Sequence, residues 1–101
     1  MKLSIITVTY NSYKTLPDTL NSVASQSYKN IEHIFVDGGS TDNTLSLLKE
    51  YPFKNKKIYC KKNYGIYKSI NYGISKATGE FITILNSDDF YQSNDQILKV
   101  I

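Results

Sequence analysis

Phe81-Ile82-Thr83-Ile84-Leu85-Asn86-Ser87-Asp88-Asp89 is a short apolar run that ends in two adjacent carboxylates. Five consecutive residues of β-branched or bulky apolar type, bounded by turn residues, read as a buried strand. Two acids at its end repel each other, and a packed interior disfavours both charges. A hard divalent cation would relieve that repulsion, because such ions take oxygen ligands. A solvated turn accounts for the same residues, since Asn, Ser and Asp are ordinary turn formers. Taken alone, the stretch favours the turn.

The pattern of a strand delivering the chain to a polar cluster recurs upstream. Leu3 to Thr9 is rich in β-branched and apolar residues and reads as a strand buried on both faces, ending at Tyr10-Asn11-Ser12. Ile31 to Val36 is a second strand, followed by Asp37-Gly38-Gly39-Ser40-Thr41-Asp42. A short third strand, Lys57 to Lys61, leads to Lys62-Asn63-Tyr64-Gly65. Helical spacing fills the intervals. Leu16, Leu20, Val23 and Ala24 mark one face, with Thr15, Pro17 and Asp18 suited to its start. Leu45 and Leu48 mark a second helix, capped by Ser40 or Thr41 with Asp42 in its first turn. Ile66, Ile70, Ile74 and Ala77 mark a third, with Gly79 placed as a left-handed cap. Ser93 and Gln96 form a capping-box pattern before the apolar Ile97, Leu98, Val100 and Ile101. Strands alternating with helices predict an α/β domain with a mainly parallel sheet of about four strands flanked by helices. In such sheets ligands bind beyond the carboxyl ends of the strands. All four polar clusters fall there, so one rim gathers them, and this convergence raises the acidic turn to a candidate site.

Composition narrows the chemistry. The 101 residues are 41% hydrophobic and 21% charged, which suits one globular domain over residues 1–101. A net charge of +3, with all twelve basic residues lysine, argues against a nucleic-acid binder that uses arginine forks. Five lysines between Lys54 and Lys62 read first as a solvated loop and strand end, with attraction to an anionic lipid or substrate as the weaker alternative. The lone Cys60 excludes an internal disulfide and reads as a small core residue. His33 reads as a packed strand histidine. No signal peptide and no apolar run of the ~20 residues needed to span a bilayer are visible. A P-loop, a dinucleotide fingerprint and a nucleophile elbow are all absent.

What the rim does offer is an aromatic face at Tyr10, an acceptor at Asp37 for a base N–H or ribose hydroxyls, and Asp88 with Asp89 for a metal. A diphosphate could approach those two acids only with a cation between them, and that cation would stabilise a departing diphosphate as a Lewis acid. Together these describe a nucleoside diphosphate site.

Four segments in register resemble the front half of the inverting GT-A glycosyltransferases of family two. They are Ser4 to Asn11, Val36 to Asp42, Gly65 to Ile74, and Gly79 through Asp89. The resemblance implies a partial, Rossmann-like GT-A nucleotide-diphospho-sugar transferase fold. It implies transfer from a UDP-sugar, with inversion, to a polysaccharide or lipid-linked acceptor in bacterial envelope biosynthesis. It implies a cytoplasmic location or one at the inner face of the cell membrane. By the same resemblance, Thr9, Tyr10, Asn11, Asp37, Gly39, Ser40, Asn63, Gly65, Asn71, Asn86 and Ser87 surround the nucleotide, with Tyr10 and Asp37 on the base. Asp88 is the metal ligand, Asp89 supports it, and Mn2+ or Mg2+ is the cofactor. Asn86 replaces the first acid of the family's Asp-x-Asp motif, and Asn63 and Lys68 stand where many relatives carry Asp. Asp95 is the only acid after the metal motif, so no residue matches the family's acceptor-activating base. This chain is therefore expected to bind donor weakly without turnover, and to self-associate through Ile97, Leu98, Val100 and Ile101. A non-catalytic nucleotide-binding remnant and, less favoured, a sugar nucleotidyltransferase are the competing readings.

Overall fold

In the computed structural model, which describes residues 1–100, four strands form one parallel sheet in the order β3-β2-β1-β4. The strands are β1 (Leu3–Thr9), β2 (Ile31–Asp37), β3 (Lys56–Cys60) and β4 (Phe81–Ile84). The helices are α1 (Leu16–Ala24), α2 (Thr44–Glu50), α3 (Ile66–Lys76) and α4 (Gln96–Val100). Register places Thr9 of β1 beside Asp37 of β2, and Asp37 beside Cys60 of β3. All strands therefore release their polar loops at the same edge, as the alternating pattern predicts.

Strand alternation puts Leu3, Ile5, Ile31 and Phe35 on one face of the sheet, where two clusters form. Leu3 and Ile5 of β1, Ile31 of β2, Val23 of α1, Leu85 and Ile97 of α4 form one cluster. Phe35 of β2 meets Leu16 and Leu20 of α1, Leu48 of α2 and Tyr51 beside it. The opposite face is covered by α3 in a way that periodicity does not predict. Its buried residues are Ser69 and Gly73, whereas Ile66 and Ile74 are exposed. A Cβ on Gly73 would lie 2.6 Å from Ile6 Cγ2, so the helix approaches β1 more closely than an isoleucine face could.

Other local expectations are corrected for related reasons. Cys60 is exposed because β3 is an edge strand. Edge strand β4 likewise leaves Phe81, Ile82 and Ile84 exposed, and only Leu85 just beyond it is buried. Gly79 is not a left-handed cap; α3 ends at Lys76, with Ala77 extended. Asp42, rather than Ser40 or Thr41, satisfies the start of α2 by accepting the Thr44 N–H at 2.9 Å. Ser93 Oγ donates to Asp95, and Gln96 accepts the Gln92 N–H, so the expected box is not closed. Ile97 is buried, which removes it from the apolar face expected to self-associate; Leu98 and Val100 remain exposed, and Ile101 lies outside the described residues.

Glu32 and His33, buried on β2, both link stability to pH on the acid side. His33 is fully buried, packs on Phe35 at 4.0 Å between ring centroids, and shares a 2.8 Å hydrogen bond with Thr7 Oγ1. Burial pushes its pKa down from 6.5 to about 3. Burial of Glu32 acts to raise its pKa, but donors from Ser4, Thr78 and Lys57 outweigh it and bring the carboxyl from 4.5 to about 2. Both groups hold fewer protons folded than unfolded, so stability rises with pH across each interval. The melting temperature is expected to fall as pH drops from 6.5, through His33, and more steeply below 4.5 as Glu32 joins. A pH series of thermal melts on His33→Gln checks this: the slope between pH 6.5 and 4.5 should flatten, and an unchanged slope there would contradict it.

Candidate functional site

A cleft of about 420 Å³ opens at the carboxyl ends of the strands. The first strand and its loop contribute Val8, Thr9, Tyr10 and Ser12, and the second contributes Gly38. The third loop contributes Asn63 and Gly65, α3 contributes Ile66 and Ser69, and the fourth loop contributes Ser87. Four separate turns therefore do converge on one cavity. A smaller hollow of about 260 Å³ beside β4 and α4 has mainly apolar walls, including Leu3, Phe81, Ile97 and Val100. It lacks the convergent polar groups that mark a small-molecule site.

Behind the cleft stands Asp37, fully buried at the end of β2. Its Oδ1 accepts from Thr9 Oγ1 at 2.7 Å and Ser40 Oγ at 2.6 Å. Its Oδ2 accepts from the Gly39 N–H at 3.0 Å and the Ser40 N–H at 2.8 Å. Four donors fill the acceptor capacity of a carboxylate. Asp37 thus folds the loop after β2 onto itself, and Gly39 makes that loop possible with φ +98°. Asn11 braces the same loop from β1. It adopts φ +47°, donates its N–H to Ser40 Oγ at 2.9 Å, and accepts the Thr41 N–H on Oδ1 at 2.8 Å. Asn11, Asp37, Gly39 and Ser40 therefore support the cleft from behind, while Tyr10, 61% exposed, presents a free ring at its wall.

Hydroxyls that sequence reasoning missed hold the acidic turn. Ser12 Oγ lies 2.9 Å from Ser87 Oγ. Thr15 Oγ1 and Thr19 Oγ1 donate to the Ser87 carbonyl at 2.9 and 3.0 Å. Thr19 Oγ1 also lies 2.5 Å from the Asp89 carbonyl. The available signal was Thr19 itself, a hydroxyl among the apolar positions Leu16, Leu20 and Val23, which must find a polar partner once buried. With its backbone held this way, the turn presents Asp88 and Asp89 exposed, without a side-chain hydrogen bond or ion pair among the described residues. Asn86 is exposed in the same turn, its carbonyl accepting the Asp89 N–H at 3.0 Å. Asn71 is not brought to the cleft. Two residues after the buried Ser69, it lies on the far side of α3 and is exposed.

The family model for glycosyl transferase family 2 matches residues 4–101, nearly the whole chain. The chain belongs to glycosyl transferase family 2. Its fold is GT-A: superposition on the Staphylococcus aureus protein TarS, residues 1–349 in complex with UDP, gives a TM-score of 0.90 at 35% identity, covering 99% of this chain and 31% of that one. A glycosyltransferase of Haemophilus influenzae is 38% identical over 100 residues, 96% of this chain and 40% of its own length. The Escherichia coli glucosyltransferase WfaP, named for UDP-Glc and a diphosphoundecaprenol-linked acceptor, is 39% identical over 88% of this chain and 36% of its own length. The chain thus spans well under half the length of these family 2 relatives.

Two acids are what this family member offers a metal. Among the described residues, no group of three or more His, Cys, Asp or Glu gathers anywhere. A pair of unpartnered carboxylates next to Ser87 fits a hard ion that draws its remaining ligands from phosphate oxygens and water, as magnesium-type sites do.

Proposed function

We propose that the cleft binds the nucleoside diphosphate of a sugar donor, UDP foremost, as the donor half of an inverting glycosyltransferase. The observation that carries this reading is the junction of a free aromatic wall at Tyr10 with an unpaired acid pair at Asp88–Asp89, joined through the Ser12–Ser87 contact. The likeness to TarS, whose structure was determined with UDP, supports the choice of nucleotide.

Tyr10 supplies a platform for the base, and stacking of that kind contributes about 1–3 kcal/mol. Thr9 and the Asp37-braced loop hold that platform in place. Asp88, supported by Asp89, would hold a Mn2+ or Mg2+ ion, and such an ion would supply charge neutralisation for the diphosphate and Lewis-acid stabilisation of the leaving group. Asn86, uncharged, lowers the charge of the metal site and leaves an amide to hydrogen-bond the ribose or phosphate. Ile66 and Ser69, at the start of α3, line the same cleft. The acceptor is a growing glycan or a lipid-linked sugar, and the reaction takes place on the cytoplasmic side of the membrane.

Titration of UDP with and without Mn2+ tests the reading. Binding is expected to need the metal, and Asp88→Ala is expected to lower affinity at least tenfold, equivalent to about 1.4 kcal/mol. Metal-independent binding that survives Asp88→Ala would assign the cleft to a different ligand class.

A further inference from the structure

Charge is distributed very unevenly along this chain. From Tyr51 to Gly79 there are seven lysines and no acid, whereas the rest of the chain carries five lysines against nine acids. Two of the seven are engaged: Lys56 Nζ donates to the carbonyls of Leu48, Lys49 and Tyr51, and Lys57 pairs with Glu32 at 2.9 Å. Lys54, Lys61, Lys62, Lys68 and Lys76 form no salt bridge among the described residues.

Three of these five are built into a single face. Tyr64, Lys68, Tyr72 and Lys76 recur at intervals of four along and just before α3, so they form one stripe. Tyr59 of β3 packs edge-on against Tyr72 at 5.4 Å between centroids, and Tyr64 meets Tyr72 at 6.1 Å. Lysine ammonium groups lie over these rings: Lys68 over Tyr64 at 4.5 Å, Lys61 over Tyr72 at 4.6 Å, and Lys76 over Tyr72 at 5.4 Å. The rings hold the ammonium groups against the surface without neutralising them. Next to Lys68, Tyr67 is 82% exposed, whereas Ile66 and Ile74, two residues from Lys68 and Tyr72, fall on the other side of the helix.

We propose that this lysine–tyrosine face of β3 and α3 docks on an anionic phospholipid surface. Charge complementarity is the first reason, since unpaired cations without a single acid among them match a negative leaflet. Lysines are point charges and the chain has no arginine fork, so the face suits diffuse attraction more than the clamping of one phosphate. Tyr67, one residue from Lys68 and 82% exposed, decides between a bilayer and a soluble polyanion: an exposed amphipathic ring gains from the headgroup boundary and has no use for a hydrated polymer. The amino end of α3 lines the cleft, so docking brings the cleft mouth to the lipid surface. The consequence for a lipid-linked acceptor rests on the donor-site reading above, but the docking itself does not, and its test uses no nucleotide.

Co-sedimentation of the full chain with vesicles rich in phosphatidylglycerol is compared with pure phosphatidylcholine. Binding is expected only to the former, and it should weaken with salt. Lys61→Gln/Lys68→Gln/Lys76→Gln should lower the partition coefficient by about fivefold per lysine, on the order of a hundredfold in all. Lys14→Gln/Lys29→Gln/Lys49→Gln makes the same change in net charge elsewhere and should retain most of the binding. Tyr67→Ser, at an exposed position, should lower binding several-fold while thermal melts confirm that the fold persists. Equal binding to both vesicle types, or equal loss in the two lysine triples, overturns the proposal. Undiminished binding by Tyr67→Ser overturns it in favour of a soluble polyanion.

Discussion

Asp37→Ala is expected to destabilise the chain by about 3 kcal/mol and to abolish nucleotide binding in the same step. The carboxylate is buried and accepts four hydrogen bonds. Its removal leaves two hydroxyls and two backbone N–H groups without their acceptor, and each group that stays unsatisfied costs about 1–3 kcal/mol. Relaxation of the exposed end of the loop recovers part of that sum. Asp37→Asn should fall between alanine and the native protein. With its amide nitrogen in the Oδ1 position, the Thr9 and Ser40 hydroxyls can rotate to accept, while the remaining oxygen still meets the Gly39 and Ser40 N–H groups. Urea unfolding and UDP titration on both variants separate two roles for this acid. If Asp37 is a brace, affinity and stability fall together, in the order native, Asn, Ala. A fully stable Asp37→Asn that fails to bind would mean that the charge itself meets the ligand, as the family resemblance implies.

Gly79→Ala is the second large loss expected, of about 3 kcal/mol, at the upper end of what overpacking costs. An added Cβ would lie 2.6 Å from Ser4 Oγ, 2.8 Å from the Lys2 carbonyl oxygen and 2.8 Å from the Ser4 nitrogen. Two of these atoms are backbone in or next to β1, and the third is tied to Glu32 at 2.5 Å and to the Gly79 N–H at 2.9 Å. None can yield without disturbing the entry into both β1 and β4. Gly65→Ala makes an informative contrast. Gly65 has φ +76° and ψ 168°, a conformation essentially confined to glycine, but nothing within 4 Å of its Cβ position, so backbone strain of about 1–3 kcal/mol is the only cost. Urea midpoints that rank Gly65→Ala below Gly79→Ala in stability would show that backbone strain outweighs the close approach, contrary to this expectation.

Much of the cleft lining was legible because its determinants are local. Strand ends announce themselves by the switch from β-branched residues to Asn, Asp, Gly and Ser, and a parallel sheet puts every such switch on one edge. Thr9, Tyr10, Asn63, Gly65 and Ser87 accordingly line the cleft. The division of labour was not legible. Whether Asp37 faces a ligand or its own loop depends on where the Thr9 hydroxyl and two N–H groups point, and a sequence pattern carries no such directions. The family resemblance implies Asn71 beside the nucleotide, yet it stands two residues from the buried Ser69, more than half a helical turn, which carries it to the opposite side.

The sequence by itself determined the parallel α/β arrangement, the edge on which the loops meet, and the acidic turn that closes the fourth strand. These follow from periodicity and turn chemistry, which act over a few residues. Only the tertiary structure decided which face of α3 is buried. Burial goes to the side whose volume fits the partner, and Ile6 and Val36 leave room for Ser69 and Gly73 but not for an isoleucine ridge. That choice turned the isoleucines outward and set Tyr64, Lys68, Tyr72 and Lys76 beside Tyr59 as one cationic face. Packing volume, a property of both surfaces together, cannot be read from either stretch alone.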